Sequence, residues 1–100
     1  ASQFPEKKEL ENAGLTIVVV GASGDLSKKK TFPALFGLFC RDFLPSHVII
    51  AGYSRSKLAD EDFKARISSH FKKVDVERPD FEQKKAAFLS RCFYFPGQYN

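Results

Sequence analysis

The unbroken β-branched run Thr16-Ile17-Val18-Val19-Val20, ending at Gly21, limits the possible folds of this chain more than any other feature. Val, Ile and Thr favour extended backbone. A run that does not alternate polar with apolar reads as a strand buried on both faces, as in a parallel sheet. A tight turn, Ala22-Ser23-Gly24-Asp25, follows it. Beyond the turn, Phe32, Leu35, Phe36, Phe39 and Phe43 recur at helical spacing. Pro33 has no N–H to donate and would break a helix interior, so it belongs in a first turn. The pattern therefore predicts a short helical turn over Leu26–Lys29. A main helix then starts at Phe32 with Thr31 as its N-cap and closes at Leu44-Pro45.

Val48-Ile49-Ile50-Ala51-Gly52-Tyr53 is a second buried strand. Asp60 is placed to cap a helix carrying Phe63, Ile67 and Phe71. A further helix begins near Asp80 with Phe81, Phe88 and Leu89 inward. Cys92-Phe93-Tyr94-Phe95 is a short aromatic strand, and Pro96-Gly97 turns the chain. The order β-α-β-α-α-β predicts an α/β fold: a Rossmann-like parallel sheet, the start of a doubly wound dinucleotide-binding domain. Three strands leave that domain incomplete. Residues 1–14, polar and mixed in charge, read as a flexible lead-in, and residues 15–100 as the amino-terminal part of the domain. The lack of a terminal cap and of an initiator Met leads us to expect a segment of a longer polypeptide.

The 100 residues suffice for one small domain, and 43% hydrophobic residues, with 11 Phe, can build a core. The formal charge of +4 is modest, and its densest run is Lys28-Lys29-Lys30. Duplex nucleic acid calls for a longer basic stripe, so none is expected as a partner. The longest strongly apolar stretch, Leu15–Val20, is far short of the ~20 residues that span a bilayer, so no membrane association is expected. Cys40 and Cys92 form no CxxC pair, and no His sits at metal-ligand spacing from either, so no metal site is assigned. Two small buried residues in a reducing compartment account for them, and a regulatory disulfide stays open.

The chemistry concentrates in Gly21-Ala22-Ser23-Gly24-Asp25-Leu26. Gly21 lets the strand turn sharply, and Gly24 lets an anion approach the main chain. Free N–H groups at the following helix start, helped by its dipole, cradle a pyrophosphate. Ser23 can add a hydroxyl donor. Asp25 fits a structural role, accepting backbone N–H bonds. The segment is not a GxGxxG fingerprint, since Ser23 and Leu26 stand at the second and third glycine positions. An ordinary strand-to-helix turn is the plainer reading. Lys28, Lys29 and Lys30 are compatible with a solvated face and with attraction of a phosphate.

The second strand runs into Gly52-Tyr53-Ser54-Arg55-Ser56. NAD-binding folds place an acid here for the ribose 2′-OH. No acid occurs between Asp42 and Asp60. Arg55 can instead pair with a 2′-phosphate and stack on adenine, which favours NADP; a plain surface arginine is the alternative.

The stretch from Gly21 to Phe36, GASGDLSKKKTFPALF, closely resembles the coenzyme fingerprint of the glucose-6-phosphate dehydrogenases, with Ser27 for the usual Ala. Gly52-Tyr53-Ser54-Arg55 resembles that family's GYAR segment, and Gly97-Gln98-Tyr99-Asn100 its GQYD. The resemblance implies oxidation of glucose 6-phosphate at C1 to 6-phosphogluconolactone with NADP as hydride acceptor, in the oxidative pentose phosphate pathway. It implies a cytoplasmic enzyme acting as a homodimer or homotetramer. Carried over by position, the cofactor-binding residues are Gly21, Ala22, Ser23, Gly24, Asp25, Leu26, Ser27, Lys28 and Arg55, with Lys30 toward the substrate. The family's catalytic His and Asp and its substrate-binding Lys fall in motifs absent here, so no catalytic residue is assigned. His47 and His70 match neither motif. These 100 residues alone should be inactive, and a nucleotide-binding or regulatory fragment without catalysis is the competing expectation.

Overall fold

The computed structural model describes residues 5–73 and 77–97. The first four residues of the lead-in and Gln98-Tyr99-Asn100 of the last motif lie outside the described residues. A single helical turn, α1 (Lys7–Glu11), occupies the lead-in. Three parallel strands follow, β1 (Leu15–Val20), β2 (Val48–Ser54) and β3 (Cys92–Pro96), side by side in the order β1-β2-β3. Helices α2 (Phe32–Cys40), α3 (Asp60–Ile67) and α4 (Phe81–Ser90) occupy the crossovers, as parallel pairing requires.

In register, Val19, Gly52 and Tyr94 form one row, and Ile17, Ile50 and Cys92 another. Side chains alternate across a strand, so these rows share a face. Phe32, Phe36, Phe63, Phe71 and Phe88 are fully buried against it. Phe36 stacks on Phe71 with ring centroids 4.3 Å apart and meets Phe88 edge-on at 5.6 Å. Phe32, Phe36, Phe39, Phe63, Phe71, Phe81 and Phe88 thus gather in one cluster, where such pairs add to simple area burial.

β2 is buried along nearly its whole length, as its apolar run predicts. β1 is not. Among the described residues it pairs with β2 alone, and Val18 and Val20 are 57% and 70% exposed. The expectation of two buried faces fails for β1 because the helices lie on the other face of this sheet.

Helical backbone begins at Asp25, earlier than the sequence pattern implies, and runs without a break to Cys40. Ser27–Thr31 forms a π-helical turn, in which Phe32 N–H reaches back to the Ser27 carbonyl. This wider turn takes up the mismatch that Pro33 imposes. Thr31 is therefore helical and makes no side-chain cap, contrary to the predicted N-cap. The helix closes at Cys40, before Leu44-Pro45. Asp42 adopts φ 60°, and Phe43 N–H and Asp42 N–H bond the Leu38 and Phe39 carbonyls. This closure throws Phe43 out to 70% exposure, so it does not continue the buried stripe.

One more cap differs from expectation. Ala59, not Asp60, is the N-cap of α3, and the Asp60 carboxylate instead pairs with Lys64 at 3.2 Å one turn on. Phe71 lies beyond α3, on a 3₁₀ turn (Phe71–Lys73), yet is still fully buried. Asp80 is the N-cap of α4 by position, while its carboxylate binds Arg78.

Candidate functional site

β1 and β2 deliver two loops to the same end of the sheet. The main chain ties them at once: Gly21 and Ala22 N–H both donate to the Tyr53 carbonyl, at 2.8 and 3.0 Å. Gly21 has φ +72°, a conformation that side-chain-bearing residues resist. Gly24 N–H closes the turn on the Gly21 carbonyl, and a Cβ on Gly24 would sit 3.3 Å from that oxygen. The Ser27 hydroxyl, buried, donates to the same carbonyl at 2.9 Å. The hydroxyl that distinguishes Ser27 from the alanine of the resembled motif therefore has a partner inside the turn.

The N–H groups of Gly21, Ala22 and Gly24 are thus used within the fold. Among the described residues, those of Ser23, Asp25, Leu26 and Ser27 have no backbone acceptor. They sit at the start of a helix of sixteen residues, Asp25–Cys40, where unpaired N–H groups and the dipole favour a negative charge.

Ser23 is committed to its neighbours. Its hydroxyl lies 2.5 Å from that of Ser54 and donates to that of Ser56 at 3.3 Å. Its carbonyl accepts from Arg66 Nε at 2.6 Å. Tyr94, buried beneath, donates its phenol hydrogen to the Ser56 carbonyl. The loop that carries Arg55 is in this way fastened to the glycine turn through side chains as well as main chain. Arg66 and Tyr94 escaped the sequence reading because each acts 38 or more residues away in the chain. No local spacing signals such a contact.

Contrary to the expectation from its place in the turn, Asp25 accepts no backbone N–H bond among the described residues. Lys28 and Lys29 hold its carboxylate, at 3.4 and 3.5 Å. The Lys28 ammonium, and then the charge of Lys29, keep the Asp25 carboxyl below its ordinary value. This pairing offsets the negative charge that Asp25 would otherwise present to an anion. Lys30 has no acidic partner among the described residues. It lines an open groove with Lys29, Pro33, Ala34, Gly37, Leu38 and Arg41. Leu26 is 71% exposed beside the turn.

Arg55 stands in the wall of a cleft of about 490 Å³. Lys57, Leu58, Ala59, Pro96 and Gly97 complete that wall. Two cations and an apolar floor suit a group that is part phosphate and part flat ring. The remaining sequence candidates stand apart. His47 is exposed at the opposite end of β2. Cys40 and Cys92 are buried and unlinked, and burial pushes the Cys92 thiol up, out of reach of ordinary ionisation. Among the described residues no cluster of His, Cys, Asp and Glu could hold a metal ion, and no helix is long and apolar enough to cross a membrane.

A family profile described as glucose-6-phosphate dehydrogenase, NAD binding domain, matches residues 18–100. The chain belongs to the glucose-6-phosphate dehydrogenase family. Relatives agree with the assignment. The chain is 52% identical over 86 residues to a glucose-6-phosphate 1-dehydrogenase of Dictyostelium discoideum, covering 86% of this chain and 16% of that protein. It is 49% identical over 86 residues to a chloroplastic one of Solanum tuberosum, covering 86% of this chain and 15% of the relative. A solved glucose-6-phosphate dehydrogenase, in complex with its substrate glucose-6-phosphate, superposes with a TM-score of 0.78 at 42% identity, covering 99% of this chain and 19% of that one. The chain therefore spans about a sixth of the length of the relatives it matches.

Proposed function

We propose that this chain is the coenzyme-binding part of an NADP-dependent glucose-6-phosphate dehydrogenase, which oxidises glucose 6-phosphate to 6-phosphogluconolactone. One observation carries the coenzyme reading: the glycine turn after β1 and the acid-free, Arg55-bearing loop after β2 are bonded into one surface at the same end of the sheet. In an open α/β sheet that is where a dinucleotide binds.

The pyrophosphate rests on the unpaired N–H groups of Ser23, Asp25, Leu26 and Ser27, with Gly21, Ala22 and Gly24 shaping the turn. Ala22 and Ser27 are buried and contribute only main chain. Leu26 offers an apolar surface to the dinucleotide. Lys28 neutralises Asp25 and adds positive potential, and Lys30 faces the substrate side. Arg55 pairs with the 2′-phosphate and lies over adenine, with the cleft to Pro96 receiving the ring. An acid at this loop would repel that phosphate; none is present.

Bound NADP supplies the hydride acceptor. The chain's own part in the reaction is to fix the coenzyme, hold its phosphates and leave the nicotinamide end free for the sugar phosphate. Residues 15–100 serve as the opening part of that domain. The whole enzyme acts in the cytoplasm as a homodimer or homotetramer, with glucose 6-phosphate as its small-molecule partner and neither nucleic acid nor membrane involved. Titration calorimetry with NADP and with NAD tests the reading. Tighter binding of NADP supports it, and equal binding of the two, or of neither, refutes it.

A further inference from the structure

The three hydroxyls of Ser23, Ser54 and Ser56 stand in a row, and each has a single hydrogen to give. The geometry of the Ser23–Ser56 bond has Ser23 as donor. With the hydrogen of Ser23 directed at Ser56, both bonds form when Ser54 donates across the 2.5 Å to Ser23. The direction of all three is fixed from the inside outward: buried Ser54, half-buried Ser23, exposed Ser56. The hydrogen of Ser56 is the one the row does not consume, and Ser56 directly follows Arg55. Arg66 on the Ser23 carbonyl and Tyr94 on the Ser56 carbonyl pin the main chain on both sides.

We infer that Ser54 and Ser56 determine coenzyme choice: Ser56 donates its hydroxyl hydrogen to the phosphate on the adenosine ribose, and Ser54 is the positioning residue that orients it through Ser23. The inference rests on the coenzyme reading above and goes beyond it. Arg55, exposed beside it, brings a full charge and a planar fork of donors. An oriented hydroxyl brings direction, and hydrogen bonds to a charged acceptor are the strong ones. A chain of hydroxyls also polarises its last member, so the buried Ser54 acts on a ligand it does not touch. A coenzyme without the ribose phosphate gains nothing from this row. Its effect therefore falls on the ratio of the two affinities.

The test is calorimetric titration of the protein with NADP and with NAD, for the wild type, Ser54→Ala, Ser56→Ala and the double variant, each with its melting temperature. Ser56→Ala should weaken NADP about tenfold, which is about 1.4 kcal/mol, and leave NAD within about twofold. Ser54→Ala should weaken NADP about two- to fourfold with NAD again unchanged. The double variant should be no worse than Ser56→Ala alone, because the relay has one end point. Ser54→Thr, which restores a hydroxyl, should recover NADP binding. Equal losses for both coenzymes, additive losses in the double variant, or no loss in exposed Ser56→Ala would overturn the relay while leaving a wild-type preference for NADP intact. Loss of that preference in the wild type would instead bring down the coenzyme reading and the relay with it.

Discussion

The Cβ of Ala22 lies 2.7 Å from where a side chain on Gly52 would begin, so the glycine turn of β1 rests directly on the backbone of β2. Phe63 closes the same spot at 3.1 Å. Ala22 is completely buried. The turn can therefore sit as low as it does, within reach of the Tyr53 carbonyl, only because residue 52 has no side chain.

Gly52→Ala should destabilise the fold by about 1–3 kcal/mol, the usual cost of overpacking, since one neighbour is main-chain-anchored Ala22 rather than a flexible chain end. Adding Ala22→Gly should recover part of the loss by removing the atom it meets. Chemical denaturation of the three variants measures both effects. Equal stability of Gly52→Ala and wild type would show that the turn is not packed on β2.

At the other end of α2, Asp42 closes the helix with φ 60°, where glycine is the favoured residue. Its carboxylate is 86% exposed and meets Lys84 at 3.3 Å, a surface pair worth little. Asp42→Gly should raise stability by roughly 0.5–1 kcal/mol, as relief of the left-handed conformation exceeds the lost ion pair. A lower denaturation midpoint would mean that the Lys84 contact outweighs the backbone relief.

Much of this arrangement is legible in the sequence. The β-branched runs give β1 and β2, the aromatic periodicity gives α2 and α4, and the glycines locate the turn. What stays hidden has physical causes. The exposure of one face of β1 depends on what packs on that side of the sheet, not on its own residues. The π-helical turn over Ser27–Thr31 answers a conflict between an early helix start and Pro33, and each is visible only singly. Asp60 and Thr31 are cap residues by type, but a partner one turn on and helical backbone take them elsewhere. Arg66 and Tyr94 reach the site from distant elements, which no local pattern encodes.

The depressed Asp25 carboxyl makes a pH prediction. Its folded-state value lies below the ordinary 3.8, first through the Lys28 ammonium. A depressed carboxyl contributes stability above the unfolded value and loses it as pH falls through the folded one. The Asp25–Lys28 contact should therefore persist as the pH drops to 3.8 and give way below it. Carbon-detected NMR titration of Asp25 should find its midpoint below 3.8. Lys28→Ala should move that midpoint up, and by more than Lys29→Ala does. A midpoint unmoved by Lys28→Ala would contradict the pairing.

Ser27→Ala should lower stability by about 0.5–1.5 kcal/mol, the net value of one hydrogen bond. The Gly21 carbonyl keeps its bond from Gly24 N–H, so no buried group is stranded. Denaturant midpoints compare the two proteins directly. A loss beyond about 3 kcal/mol would mean that the hydroxyl does more than cap this carbonyl.

The central claim is that this surface binds NADP by reading its 2′-phosphate with the loop after β2. The most direct test is the affinity of Arg55→Ala for NADP and for NAD, set against wild type by titration calorimetry. The account predicts that NADP weakens at least tenfold while NAD changes by less than about twofold, since a charge-assisted bond is worth about 1.5–3 kcal/mol. Equal losses for the two coenzymes, or none for NADP, would contradict it.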